Sequence, residues 1–590
     1  MCRIAGIINP FASPELLRSW VTEMCRLQQH GGPDDEGVNV FAQQNGAFGH
    51  RRLSIIDLSE AGHQPMSYAD GRYWITYNGE LYNYIELRQE LITMGCRFET
   101  NCDTEVILAA YSVWGEKAFA RFNGMYAFAL IDIKMDEVVL VRDVNGVKPL
   151  YYSVTKNGLA FASEIKAFKN INYLQTKGNN WQVYLMAYGH LPEPITTLQD
   201  VKPLTKGSYL KYNIHTQNHT VNYYSHFTYT ETIGNRKNAI ELITDSLRKA
   251  VKRNLVADAP IGVFLSGGLD SSILALLANE EKQSMLRMIS IFFDEKGYSE
   301  KKYQDLLQQK LHSQQFQHLV SEDEFHNYLP DIIKAMDMPS CDGINTWFIS
   351  KYAKEGGLKA VLSGIGGDEL FGGYPSFNRI TPTLLMQHMP DMLLKGTSYI
   401  GGKAFKRLPY LTIDGTIGRY LFLRGQFVPL EIAKTLNANE AEVMAILRDS
   451  PITPIIDSLS AKNQASWMEM NLYMQNQLLR DADVMSMAHG LEIRVPFLDN
   501  ELIQLALQIK SGIKYAGSNK KQMLIDAFKD KLPQSIWDRP KMGFAFPFRE
   551  WLLNNNIAKE QGQSYKKLKS GSMHWSQFLT LLLIDNHGEA

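Results

Sequence analysis

Short apolar runs separated by glycine and asparagine dominate the first third of the chain, and 72–77, 125–131, 138–142 and 159–162 read as strands. Apolar residues at helical spacing interrupt them at 84–94 and 104–114. Strands in runs, with helices between the runs, indicate a layered α+β domain. Residues 207–238 are polar and aromatic, rich in Thr, Asn, His and Tyr, and are expected to hold the domain boundary. An amphipathic helix follows, with Ile240, Ile243, Leu247 and Val251 on one face. Beyond it the apolar runs 261–265, 288–293 and 359–362 alternate with helical stretches, the pattern of a doubly wound parallel sheet. After residue 380 or so the pattern is mostly helical, without internal repeats, low-complexity segments or heptads.

With 590 residues the chain is too long for one core, and 45% hydrophobic with 21% charged residues marks it as globular. Its 61 basic and 62 acidic residues nearly cancel, giving no overall electrostatic footprint for nucleic acid or an anionic membrane. Five cysteines, an odd number at spacings that fit no zinc site, point to free thiols in a reducing compartment. There is no secretory pattern at the N-terminus and no uninterrupted run of about eighteen apolar residues. A soluble cytoplasmic protein is expected.

Candidate chemistry begins at Cys2. Removal of Met1 would expose its α-amine, whose pKa of about 8 suits it to act as base for its own thiol. Downstream stand His30-Gly-Gly-Pro-Asp-Asp-Glu-Gly, His50-Arg-Arg-Leu-Ser-Ile-Ile-Asp, Gly62-His-Gln-Pro-Met, Tyr77-Asn-Gly-Glu-Leu-Tyr-Asn and Cys102-Asp-Thr-Glu. In order and spacing these resemble the glutaminase domain of class II amidotransferases. The resemblance implies that Arg52 holds the α-carboxylate of glutamine and Asp103 its α-ammonium, while Asn78 and the Gly79 N–H receive the oxyanion. Leu53, Ser54, Ile55, Ile56 and Glu80 complete the implied glutamine site. Asn-Gly ordinarily marks a hairpin turn, which is also a suitable place to aim an N–H.

Ser266-Gly-Gly-Leu-Asp-Ser-Ser sits between a predicted strand and a predicted helix, an arrangement that presents N–H groups to phosphate. It lacks the Gly-Lys-Ser/Thr of a Walker A loop and resembles the pyrophosphatase loop of enzymes that split ATP between its α and β phosphates. That likeness implies ATP contacts from Ser266, Gly267, Gly268, Asp270, Ser271 and Ser272, with magnesium on Asp270. A second string, Leu362-Ser-Gly-Ile-Gly-Gly-Asp-Glu-Leu-Phe-Gly-Gly-Tyr, follows another apolar run. By the same likeness Ser363 and Gly364 contact nucleotide, Asp368 is the second magnesium ligand, and Leu265 and Ile291 flank the adenine. Residues 480–499 match the helix and turn behind the synthetase site, and Arg539-Pro-Lys-Met-Gly-Phe matches the segment whose lysine, Lys541, meets phosphate and the developing charge.

From Cys2 to about Trp551 the chain resembles the glutamine-hydrolysing asparagine synthetase family. The resemblance implies an N-terminal-nucleophile αββα glutaminase domain over 2–215, an adenine-nucleotide α-hydrolase-like synthetase domain over 236–555, and a C-terminal tail over 556–590. It also implies small-molecule substrates (glutamine, ATP and a carboxylate), an ammonia tunnel between the sites and a homodimer. One departure stands out: many asparagine synthetases carry a glutamate, implicated in amide formation, where this chain has Ile365. Isoleucine cannot accept a proton, so Glu369 or water takes that part, or the acceptor is not aspartate. Relatives with a Ser-Gly-x-Gly-Gly-Asp-Glu loop include asparagine synthetases and amidotransferases acting on sugar uronic acids in surface-polysaccharide assembly. Sugar-isomerising and phosphoribosyl-transferring amidotransferases lack the 266–272 loop, β-lactam-forming relatives lack the nucleophilic cysteine, and a non-catalytic sensor would be expected to have lost catalytic residues.

Overall fold

The computed structural model describes residues 2–588 except 172–173, 175–179, 282–284, 296, 312, 397–404, 453 and 541–545. Strands β1 (Arg3–Ile8), β2 (Asp35–Phe41), β3 (Gly46–Arg52), β8 (Tyr151–Thr155), β9 (Gly158–Ala162) and β10 (Lys202–Pro203) form one sheet, in the order β10-β8-β9-β1-β3-β2. Strands β4 (Met66–Tyr68), β5 (Tyr73–Leu81), β6 (Gly124–Asp132), β7 (Glu137–Arg142), β11 (Ser208–Asn213) and β12 (His219–Tyr223) form the second, in the order β12-β11-β7-β6-β5-β4. Ile4, Ile8, Phe48 and Phe161 of the first sheet pack on Ala127, Ile131, Leu140 and Leu210 of the second. This sheet-on-sheet core explains why β1 and β6 are buried almost throughout.

Helices cover the outer faces. The Pro14–Leu27 helix starts on a Ser13 side chain that accepts the Leu16 N–H, and it turns Leu17, Val21, Met24 and Cys25 toward Ala5, Ile7 and Ala47. The Tyr84–Thr93 and Asp103–Trp114 helices cover Ile75, Tyr77, Phe128 and Val139 of the second sheet. The result is the expected αββα domain. Asn78-Gly79, however, lies inside β5 and not in a turn: it pairs with Ala127 and Tyr126, and a Cβ on Gly79 would lie 2.2 Å from the Met125 carbonyl oxygen. The polar stretch at 207–238 also holds more than a boundary. It supplies β11 and β12, and β12 is a solvent-exposed edge strand, so its sequence carries no apolar face. The chain then passes to an Asn235-capped helix, Arg236–Asn254, that buries Ile243, Leu247 and Val251.

The second domain is built on β13 (Ile261–Phe264), β14 (Leu286–Phe292), β15 (Ser313–Leu319), β16 (Ala360–Leu362) and β17 (Glu492–Arg494). All are parallel, in the order β15-β14-β13-β16-β17. The order reverses between β13 and β16, which creates the crevice where open α/β sheets bind ligands. Helices fill most of 367–588. Residues 556–588, set apart as a tail on sequence, form three helices whose Leu568, Phe578, Leu582 and Leu583 enter the core of this domain. No helix of the described residues is long and apolar enough to cross a membrane.

Candidate active sites

Cys2 sits just ahead of β1, with its nitrogen 3.2 Å from Asn78 Oδ1 and its sulfur 4.0 Å from the Leu53 carbonyl oxygen. Burial raises the thiol pKa, so ionisation there needs a base at contact distance. The same Asn78 amide keeps Nδ2 buried and without a hydrogen-bond partner among the described residues. A buried donor left unmade is costly, and one beside a nucleophile is a ready receiver for an oxyanion.

Arg52, at the end of β3, donates through Nη1 to Ser59 O at 2.7 Å and through Nη2 to Asp57 O. Gly62 lies flat against this guanidinium, and a Cβ there would stand 2.0 Å from Nη2. Asp103 opens its helix, and its Oδ2 accepts from the Tyr77 hydroxyl and the Leu81 N–H, both at 2.9 Å. Burial raises its carboxyl pKa against these bonds. Leu53 and Ile55 are buried in the core of the second domain, and Ile55 O accepts the Asp258 and Ala259 N–H groups. Ser54 N–H donates to Asp34, which pairs with Lys359 at 2.6 Å, and Ile56 is half-buried beside them. The loop at 53–56 is therefore clamped to the synthetase domain.

Two buried ion-pair systems continue that seam. Arg3, next to the nucleophile, meets Glu164 at 2.5 Å and Asp483 at 2.8 Å, and Lys148 lies 3.7 Å from Asp483. Arg494 meets Glu492 at 2.5 Å and Glu80 at 3.3 Å, while its own carbonyl accepts the Ser363 N–H. Burial, with Glu492 and Asp103 nearby, pushes the Glu80 carboxyl well above its ordinary value despite Arg494.

The 266–272 string closes into a loop after β13 and opens the Leu269–Glu281 helix, as its pattern predicts. Ser266 and Ser271 hydroxyls lie 3.0 Å apart, and the Ser271 and Ser272 hydroxyls donate to Gly268 O. Gly267 has φ +84°, which only glycine adopts without strain. The loop at 363–367 lies against it: a Cβ on Gly364 would stand 2.9 Å from the Asp270 Cβ, and one on Gly367 2.6 Å from its carboxylate. Leu265 N–H donates to Ile289 O, and Ile291 O accepts from Gln304.

This packing brings Asp270 and Asp368 to one cation. Lys521 Nζ lies 2.6 Å from Asp270 and 2.8 Å from Asp368. Sequence reading missed Lys521, which sits outside any glycine-rich motif. Lys541 lies outside the described residues, although its neighbour Arg539 reaches the first loop, donating to Gly267 O and pairing with Glu300 at 2.6 Å. Two carboxylates sharing one ammonium form a hard-oxygen pair suited to a divalent cation. No cluster of three or more potential metal ligands gathers among the described residues, so the remaining ligands would have to come from polyphosphate and water. Glu369 is committed to the loop itself, accepting from Gly366 N–H at 3.0 Å and the Tyr374 hydroxyl at 2.8 Å; burial and Asp368 push its carboxyl up to about 7.

The αββα domain with Cys2 just ahead of its first strand, joined to a parallel sheet with two glycine-rich loops at its switch point, defines a glutamine amidotransferase fused to a nucleotide-dependent synthetase. Residues 1–224 match the glutamine amidotransferase domain model, and residues 242–582 match the asparagine synthase model. The chain belongs to the glutamine-hydrolysing asparagine synthetase family. It is 34% identical to asparagine synthetase [glutamine-hydrolyzing] 1 of Bacillus subtilis, across 96% of this chain and 91% of that protein. A putative asparagine synthetase [glutamine-hydrolyzing] of Mycobacterium bovis is 32% identical over 90% of this chain and 85% of its own length. Asparagine synthetase [glutamine-hydrolyzing] 3 of Bacillus subtilis is 28% identical over 92% and 86%.

Proposed function

We propose that this chain makes asparagine from aspartate, glutamine and ATP. The observation that carries the reading is the Asn78 amide, which holds the Cys2 nitrogen with one atom and keeps a buried donor open with the other. Removal of Met1 turns that nitrogen into the α-amine that takes the thiol proton. The sulfur then bonds to the glutamine amide carbon, and Asn78 Nδ2 with the Gly79 N–H steadies the oxyanion. Arg52 holds the α-carboxylate, and Asp103 with Glu80 holds the α-ammonium. The carbon–nitrogen bond breaks, ammonia leaves with the proton from the α-amine, and water hydrolyses the thioester to glutamate.

In the second domain the 266–272 loop and Ser363-Gly364 bind ATP, with Leu265 and Ile291 beside the adenine. Asp270 and Asp368 would hold magnesium, which neutralises charge on the pyrophosphate that leaves. A carboxylate oxygen of aspartate bonds to the α-phosphorus and pyrophosphate departs, with Lys521 stabilising it. Ammonia attacks the acyl carbon, AMP leaves, and the proton lost from nitrogen passes to water, because Ile365 cannot take it. The free thiols of all five cysteines support a cytoplasmic setting, and the family resemblance supports a homodimer.

The test is pyrophosphate release by purified protein with glutamine, ATP–Mg²⁺ and a panel of carboxylates. Aspartate should give asparagine and pyrophosphate in equal amounts. Silence with aspartate and turnover of a uronic acid or its nucleotide sugar would replace this reading with amidation of a sugar carboxylate.

A further inference from the structure

One residue touches both candidate sites. Arg494 ends β17, fully buried, and its Nη2 is 3.3 Å from Glu80 Oε1 across the seam between the domains. Its main-chain carbonyl accepts the Ser363 N–H at 2.8 Å, where the second nucleotide loop begins. The rest of the guanidinium is held from the synthetase side. Nε pairs with Glu492 at 2.5 Å, and Nη1 donates to Asn254 O at 2.9 Å and to Val256 O at 2.6 Å. On the glutaminase side it meets Glu80 and, 5.8 Å away, the centre of the Tyr82 ring.

The two oxygens of Glu80 face different surroundings. Oε1 is turned to Arg494, whereas Oε2 is buried and has no hydrogen-bond partner among the described residues. Glu80 lies in β5 two residues beyond Asn78, so both side chains leave the same face of the strand, and Asn78 holds the Cys2 nitrogen. Burial, with Glu492 and Asp103 nearby, favours the protonated form of Glu80, in which its contact with Arg494 is a neutral one. An ammonium on Oε2 favours the ionised form, and an ionised carboxylate pulls harder on the guanidinium. Both side chains are buried, so bulk salt screens that gain little.

We propose that Arg494 is a positioning residue that couples the two sites: a glutamine ammonium on Glu80 tightens the Glu80–Arg494 pair, which steadies β17 and the carbonyl that anchors Ser363 for ATP. The proposal rests on the glutamine and ATP sites argued above and adds that each ligand raises the affinity for the other. Linkage requires the two effects to be equal. Glutamine is then held best when the nucleotide that activates the acceptor is already bound.

The experiment titrates ATP–Mg²⁺ by calorimetry into the full chain carrying Cys2→Ala, which cannot hydrolyse glutamine, with aspartate left out so that nothing turns over. Glutamine, at a concentration shown to saturate each variant, should lower the Kd for ATP about tenfold, and saturating ATP should lower the Kd for glutamine by the same factor. Adding Arg494→Met should bring both factors to within twofold of one, and Arg494→Lys should leave an intermediate value. Glu80→Gln, which cannot ionise, should abolish the coupling in the same way, and it decides the question if Arg494→Met does not fold. Lys359→Met cuts the seam ion pair with Asp34 and should keep the full factor; its loss there would assign the coupling to the seam as a whole and overturn the proposal. A merely structural arginine would shift the Kd for ATP equally with and without glutamine, so an unchanged factor in the Arg494 and Glu80 variants overturns it too. So does a factor within twofold of one in the Cys2→Ala chain itself. If glutamine or ATP fails to bind that chain at all, the two-site reading is wrong and the proposal falls with it.

Discussion

Replacing Lys521 with methionine perturbs the synthetase site at its tightest electrostatic point. Burial disfavours the charged ammonium, but Asp270 and Asp368 outweigh that and hold the lysine pKa above its ordinary value, so Lys521 is cationic at neutral pH. Its side chain is 8% exposed and its carboxylate partners 14% and 17% exposed. Removing one member of such a buried pair costs about 3–5 kcal/mol, and the partial exposure of the aspartates favours the lower end. Because a raised lysine pKa stabilises below the unfolded value of about 10.4 and is lost only as pH climbs through the folded one, the loss should be constant from about pH 6 to 9. Methionine fills similar space, so packing should survive. Differential scanning fluorimetry should show the synthetase transition lowered by several degrees, with magnesium recovering more of the loss in the variant than it adds to the parent. Pyrophosphate release should drop at least 100-fold, while glutamine hydrolysis remains. An unchanged transition, together with pyrophosphate release within twofold of the parent, would refute the reasoning.

Other outcomes follow from the same geometry. Cys2→Ala should abolish glutamine-dependent synthesis and spare synthesis from ammonium; equal loss of both contradicts separate sites. Asn78→Ala removes an oxyanion donor and should lower kcat for glutamine hydrolysis roughly 100- to 1000-fold with ammonium-driven synthesis intact, and a change confined to KM would deny Asn78 that role. Burial disfavours the Glu164 carboxylate, but His30, Lys166 and Arg3 outweigh it and hold its pKa well below the ordinary value. Its stabilisation is therefore complete above the unfolded value of about 4.3 and fades as pH falls through the folded one. In urea melts, the stability gap between the parent and Glu164→Gln should be constant from pH 5 to 7 and narrow below about 4.3; a constant gap down to pH 3 would contradict the assignment.

The two domains, one layered α+β and one built on a parallel sheet, were legible because apolar runs and glycine punctuation are local signals. Cys2, Arg52, Asn78 and Asp103 were legible as motif members, and so were the loops at 266–272 and 363–368. What sequence left open depends on long-range contact. Lys521 sits 251 residues from Asp270 and 153 from Asp368, on a polar stretch that reads as solvated surface. Arg3 meets Asp483 across 480 residues, so a residue beside the nucleophile gave no hint of its partner. The edge strand β12 hid in a polar segment because neither of its faces is buried.

The central claim is that nitrogen released at Cys2 ends on aspartate within the same molecule, and isotope transfer tests it most directly. The protein is supplied with amide-¹⁵N glutamine, ATP–Mg²⁺, aspartate and excess unlabelled ammonium, and the product is analysed by mass spectrometry. Asparagine carrying mostly ¹⁵N in its side-chain amide, with one pyrophosphate per asparagine, is the expected result. Asparagine whose label matches the diluted bulk ammonium, or no asparagine at all, would contradict the account.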